Sequence, residues 1–108
     1  MVSIIMATYN AEKTIEQAIN SVLNQTYTNF ELLVVNDCSK DGTVESVKSI
    51  AATDGRVRLI SNEKNSGVSY TRKHGLEEAN GSWIAILDSD DAWAPEKLEK
   101  QIELQNRT

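Results

Sequence analysis

Short apolar runs and stretches of helical periodicity alternate four times along these 108 residues, and that alternation leaves few folds open. Val2 to Ala7, Phe30 to Val35, Val57 to Ile60 and Trp83 to Leu87 are apolar but too short for helices, so each reads as a strand. Between the first two, Ala11, Ile15, Ala18, Ile19, Val22 and Leu23 fall on one helical face, with Asn10 placed as the N-cap. Val44, Val47, Ile50 and Ala51 carry a second helix. A third is predicted over Gly67 to Ala79, with Val68, Thr71, Gly75, Leu76 and Ala79 facing the sheet and Asn80-Gly81 ending it. Pro95 opens a fourth, with Leu98 and Ile102 on its buried side.

Strands separated by helices pair in parallel, because only a long crossover brings the next strand back in the same direction, and that crossover is right-handed. The expected fold class is α/β: a Rossmann-like parallel sheet of about four strands with helices on both faces. No linker, repeat or low-complexity run interrupts residues 1–108, so a single domain is expected. Val57-Arg58-Leu59-Ile60 alternates apolar and polar, which suggests a sheet edge. All C-terminal strand ends lie along one side of such a sheet. Thr8-Tyr9-Asn10, Asp37, the Asn62 to Gly67 loop and Asp88 to Asp91 can therefore converge there.

The fourth strand, Trp83-Ile84-Ala85-Ile86-Leu87, is apolar throughout and reads as buried on both faces. It runs directly into Asp88-Ser89-Asp90-Asp91. Asp88 and Asp90 are two apart, so in an extended segment both point the same way and can share a divalent cation. The same pattern also arises where acids simply cap a following helix.

Charge decides how an anion could be held. The formal net charge is −5 with acids and bases interspersed, which disfavours a broad nucleic-acid-binding face. An anionic ligand then needs local help from a metal or a helix N-terminus. Cys38 is the only cysteine, which excludes an internal disulfide and fits a reducing, cytoplasmic setting. The apolar start is too short for a signal peptide, and no run approaches a transmembrane length, so the chain is expected to begin directly in its fold.

Other candidates at the strand ends have competing readings. Asp37 can accept from a nucleoside N–H or hydroxyl, or it can cap the loop over Ser39 or Thr43. Asp41-Gly42-Thr43 reads as structural. Tyr9 can stack on a base or pack on its loop. Asn65-Ser66-Gly67 can present backbone N–H groups at the start of the third helix, and Arg72 can reach a phosphate or stay in solvent. His74 reads as a surface or lightly packed histidine.

Taken together and in order, Ala7-Thr8-Tyr9-Asn10, Asn36-Asp37-Cys38-Ser39-Lys40-Asp41-Gly42-Thr43, Asn65-Ser66-Gly67 with Arg72, and Asp88-Ser89-Asp90-Asp91 with Trp93, Pro95, Lys97 and Leu98 closely resemble family-2 inverting glycosyltransferases of the GT-A fold. The resemblance covers nearly the whole chain. Ala7 stands where a proline is frequent in that family and Cys38 where a glycine is frequent.

The resemblance implies a nucleotide-sugar-binding half-domain. Thr8 and Tyr9 would lie by the nucleobase, Asp37 would accept from it, and Asn65, Gly67 and Arg72 would lie near the nucleotide. Asp88, Ser89 and Asp90 would meet the ribose and a metal-bound diphosphate, Asp88 and Asp90 as metal ligands. The implied cofactors are Mn2+ or Mg2+ and a UDP-linked sugar donor. The implied partners are a saccharide or lipid-linked acceptor in the full protein, whose membrane association stays open. Family members continue through the acceptor site and the catalytic base, so the base is expected beyond Thr108 and none is assigned here.

Two expectations follow. The first is a truncated glycosyltransferase domain that binds donor and metal; the alternative is a non-catalytic binding or assembly half-domain. Apolar surface left uncovered would favour a homo-oligomer.

Overall fold

A computed structural model describes residues 1–106, and side chains as far as 103. Its strands are β1 (Val2–Thr8), β2 (Phe30–Asn36), β3 (Val57–Ser61) and β4 (Trp83–Ile86). The helices are α1 (Ile15–Leu23), α2 (Thr43–Ala51), α3 (Val68–Glu78) and α4 (Lys97–Asn106). All four strands are parallel, in the order β3-β2-β1-β4, so the predicted α/β sheet is the one observed. Register sets Ile4 beside Leu32, Met6 beside Val34 and Thr8 beside Asn36.

Alternation along the central strands divides the core between two faces. On one, Ile4, Met6, Leu32 and Val34 pack with Ile15, Ala18, Ile19 and Val22 of α1, Val47 of α2 and Leu98 of α4. The α1 quartet is fully buried, and Ile15, Ile19 and Val22 each contribute roughly 1.5–3 kcal/mol relative to an exposed side chain. On the other face α3 lies over β1 and β2. It comes close because Gly75 has no side chain: a Cβ there would stand 2.7 Å from Ile5 Cγ2 and 3.1 Å from Val35 Cγ2.

Buried Gln25 ties α4 to the end of α1. Its Nε2 donates to the Ala94 carbonyl at 2.8 Å, and its Oε1 accepts from the Leu98 N–H at 3.0 Å. At the opposite end of the sheet from the strand C-termini, Glu31 accepts from Ser3 Oγ and from the Asn80 N–H at 2.7 Å, with Arg58 Nη1 at 3.5 Å. Burial acts most strongly on Glu31 and pushes its pKa up. The hydrogen bonds from Ser3 and Asn80, with Arg58, outweigh it and hold the carboxyl below its usual range.

Four expectations need correction. First, α1 begins at Ile15, four residues later than its apolar spacing suggested, and Asn10 does not cap it. Asn10 takes a left-handed φ of 50° and ties two loops together: its N–H donates to Ser39 Oγ at 2.9 Å and its Oδ1 accepts from the Lys40 N–H at 2.7 Å. Second, β4 is buried on one face only, and it lies at the edge of the sheet. Ala85 faces the core, whereas Ile84 and Ile86 are 41% and 47% exposed. Third, Val68 and Leu76 are exposed on α3, where only Thr71 and Gly75 are buried, and Ala79 lies past the helix end. Fourth, Pro95 sits in the turn just before α4 rather than in its first turn. The edge position expected for β3 is observed. Among the described residues no helix is long and apolar enough to cross a membrane.

Candidate functional site

The strand ends do converge. Beyond the last paired residues of β1, β2 and β3 the ladder runs on for one more bond on each side of β2. The Asp37 N–H donates to the Thr8 carbonyl at 2.9 Å, and the Asn62 N–H to the Asn36 carbonyl at 2.9 Å. Asp37 and Asn62 are thereby fixed side by side. On the far side of β1, β4 pairs only as far as Ile5–Ile86, so the end of β1 from Met6 to Thr8 has no strand beside it and the sheet opens into a cleft.

A pocket of about 80 Å³ lies in this cleft, lined by Ala7, Thr8, Tyr9, Asp37, Val68 and Thr71. Thr8 is buried, and its Oγ1 has no hydrogen-bond partner. A buried hydroxyl without a partner forfeits about 1–3 kcal/mol, which makes it a group awaiting one. Tyr9, at the rim of the pocket, is half exposed.

Asp37 forms the floor. Its Oδ1 accepts from Asn62 Nδ2 at 3.0 Å and from the Ser66 N–H at 2.7 Å, and its Oδ2 accepts from the Gly67 N–H at 2.9 Å. Burial is the largest single influence on this carboxyl and pushes its pKa up. The bonds from Asn62, Ser66 and Gly67 together outweigh it and hold the group below the usual carboxylate range. It is therefore ionised at neutral pH and can only accept. Neither loop-cap role considered from sequence is the one observed: Asn36 Oδ1 accepts from the Ser39 N–H, and Asp41 accepts from Thr43. Instead Asp37 caps the start of α3, where Gly67 adopts the φ of 90° that lets both backbone donors face it. Asn65 contributes a long bond, Nδ2 to the Asp37 carbonyl at 3.4 Å.

Arg72 and Asp88 meet across the cleft, Arg72 Nη2 donating to Asp88 Oδ1 at 2.8 Å. Arg72 Nε is buried and has no partner. The Ser89 carbonyl accepts from Thr14 Oγ1 at 2.9 Å, which pins the acidic turn to the α1 entrance. Asp88 and Asp90 are exposed, and Asp91 accepts from the Ala92 N–H at 2.8 Å, a local turn contact. Among the described residues no three of His, Cys, Asp or Glu are placed to hold a metal together.

Sequence reasoning missed a chain of side chains behind the pocket. Asn62 Nδ2 donates to Thr71 Oγ1 at 2.9 Å as well as to Asp37, and Asn62 Oδ1 meets His74 Nδ1 at 2.7 Å. Thr71 Oγ1 passes its own hydrogen to the Gly67 carbonyl at 2.7 Å. His74, half-buried as the lightly packed reading allowed, is thus also tied to Asn62. The helical spacing of Thr71 and His74, three apart on one face, was the available signal.

An unpartnered hydroxyl, a buried acceptor and a basic residue thus gather where the parallel strands end, which is where domains of the Rossmann-like class keep their ligand sites. The chain belongs to glycosyl transferase family 2, whose profile matches residues 3–108. It is 49% identical, over 96% of its length, to a UDP-Glc:alpha-D-GlcNAc-diphosphoundecaprenol beta-1,3-glucosyltransferase of Escherichia coli, and spans 40% of that protein. Among solved structures, TarS 1–349 of S. aureus in complex with UDP-GlcNAc superposes with a TM-score of 0.92 at 32% identity, over 98% of this chain and 31% of that one. The mannosyltransferase PcManGT of Pyrobaculum calidifontis, in complex with GDP-Man and Mn2+, gives a TM-score of 0.89 at 28% identity, over 94% of this chain and 31% of that one. The fold is accordingly the GT-A fold.

Proposed function

We propose that this chain is the donor-binding part of an inverting glycosyltransferase that takes a UDP-linked sugar together with a divalent metal. The observation that carries the reading is the pocket at the end of β1, where the buried Thr8 hydroxyl lacks a partner beside the ionised acceptor Asp37. A uracil ring offers the complementary set, with carbonyl oxygens for a hydroxyl and a ring N–H for a carboxylate. Tyr9 covers the base, Asn65 and Gly67 keep the α3 entrance in place, and Arg72, with its spare Nε, serves the phosphates.

Asp88 and Asp90 suit the metal this reading requires. Two exposed carboxylates with no third protein ligand match Mg2+ or Mn2+, which take one or two carboxylates and fill the remaining positions with water and substrate phosphates. Bound there, the ion would neutralise the diphosphate leaving group. Ser89 supplies the rigid link between the two aspartates through its carbonyl bond to Thr14. The acceptor is a saccharide or lipid-linked saccharide, and no residue of this chain is assigned as the catalytic base. A cytoplasmic location belongs to the same reading.

Titration with UDP in the presence and absence of Mn2+ tests this directly. Binding should strengthen with the metal and weaken on Asp90→Asn. Affinity indifferent to both, or absent at millimolar UDP, would remove the proposal's basis. The uncovered edge of β4 favours a second reading, a non-catalytic assembly module, which predicts self-association without nucleotide binding.

A further inference from the structure

Asp37 has about four acceptor positions on its two oxygens, as any carboxylate does. Three are already taken by the chain itself, two on Oδ1 and one on Oδ2. What remains open is a single position on Oδ2, and its direction depends on how the carboxylate plane is held. Two of the three bonds come from the backbone of one short loop, Ser66 and Gly67, and both lie on the α3 side. Only Asn62 braces the carboxylate from the β3 side.

Asn62 is unusually constrained for an asparagine. It is buried, both amide hydrogens are spent, on Asp37 and Thr71, and its oxygen meets His74. An amide oxygen has no hydrogen to give, so the proton in the Asn62–His74 contact sits on His74 Nδ1. Turning the amide over would set its oxygen against the Asp37 carboxylate, which repels it. His74 therefore locks the amide in the one orientation that donates to Asp37.

We propose that Asn62, locked by His74, is a positioning residue for the nucleotide pocket: it aims the one free acceptor lone pair of Asp37 into the pocket and thereby selects a base that presents a ring N–H. This inference rests on the nucleotide reading given above. Neither Asn62 nor His74 touches the base; both act through Asp37.

The test measures binding of UDP and of 3-methyl-UDP, which lacks the ring N–H, by NMR titration of the chain and its variants. Wild type should prefer UDP by on the order of tenfold, the worth of a hydrogen bond to a charged acceptor. In Asn62→Ala the preference should shrink to about twofold or less, because the lone pair is no longer aimed. His74→Phe should narrow it likewise, and it carries the same question if Asn62→Ala fails to fold. His74→Asn keeps an N–H donor where Nδ1 stood and should restore the preference.

If the variants lose affinity for both nucleotides in equal proportion, Asn62 is only scaffolding and the proposal is overturned. If wild type binds neither nucleotide, or binds both alike, the nucleotide reading is what fails. In that case hydrogen exchange at the Ser66 and Gly67 amides decides the positioning role. Exchange faster in Asn62→Ala and His74→Phe but not in His74→Asn upholds it; exchange unchanged in all three overturns it.

Discussion

Arg72 Nη2 donates to Asp88 Oδ1 at 2.8 Å, and under the proposed function this contact joins the residue that would serve a phosphate to one that would hold a metal. Both side chains are well exposed, so the pair adds little to stability, about 0–1 kcal/mol at most. It is better understood as a resting contact that a bound diphosphate and metal would replace.

Replacing Arg72 by Gln should therefore have opposite effects on two ligands. Mn2+ alone should bind more tightly, severalfold, because Asp88 loses its competing cation, while UDP with Mn2+ should bind more weakly. Paramagnetic broadening around residues 88–91 reports the first and UDP titration the second. A parallel loss of both would mean that Arg72 organises the turn rather than competing for it. The melting temperature should move little in either case.

Gly75→Ala should destabilise the domain by roughly 1–3 kcal/mol, the usual penalty for overpacking. The new Cβ would collide with Ile5 and Val35, two fully buried side chains, and force α3 away from the sheet. Better helix propensity would return less than about 1 kcal/mol. Urea unfolding of the variant measures the difference, and an unchanged midpoint would show that α3 is not held as closely as described.

Acid should weaken the fold through Glu31 and Asp37. Both carboxyls sit below their ordinary values of 4.5 and 3.8, so the folded state holds them charged more firmly than the unfolded chain does. Their contribution is present in full above the unfolded values and is lost as the pH falls through the lowered folded ones. Stability should thus be flat near neutrality and decline from about pH 5 downward. Glu31→Gln should flatten that decline, which unfolding curves collected from about pH 2.5 to about pH 7 would reveal.

Ile84 and Ile86 should drive self-association of the isolated chain. They lie two apart on the exposed face of an edge strand that is paired along one side only. Sedimentation at high concentration should show species larger than the monomer, and Ile84→Lys with Ile86→Lys should abolish them. A clean monomer in the unmodified chain would refute the expectation.

The order of strands and helices, and the convergence of Thr8, Asp37 and Asp88 on one side of the sheet, were legible because apolar periodicity and parallel pairing depend on the pattern of the chain alone. What periodicity does not carry is the number of neighbours a strand will have. Trp83 to Leu87 reads the same at an edge as in the middle, so the exposure of Ile84 and Ile86 was invisible. Asn10 was assigned by residue type to a cap. An asparagine also tolerates a left-handed backbone, and partners at Ser39 and Lys40, 29 and 30 residues away, decided between the two. The surroundings of Asp37 were hidden for a related reason. Two of its three donors are backbone N–H groups, which every sequence has and none advertises, and the third, Asn62, is 25 residues distant.

The strand order also makes the two ends of the cleft mechanically unequal. Asp37 directly follows β2, an interior strand paired with β1 and β3 up to its last residue, and Thr8 ends β1 paired there with β2 alone. Asp88 follows β4, a four-residue strand held along one margin only. One jaw of the cleft is anchored in the middle of the sheet and the other hangs from its border. Under the proposed function, the base would be read by the jaw set in the sheet, and the diphosphate and metal would meet a jaw held from outside the sheet, by the bond from Thr14 to the Ser89 carbonyl.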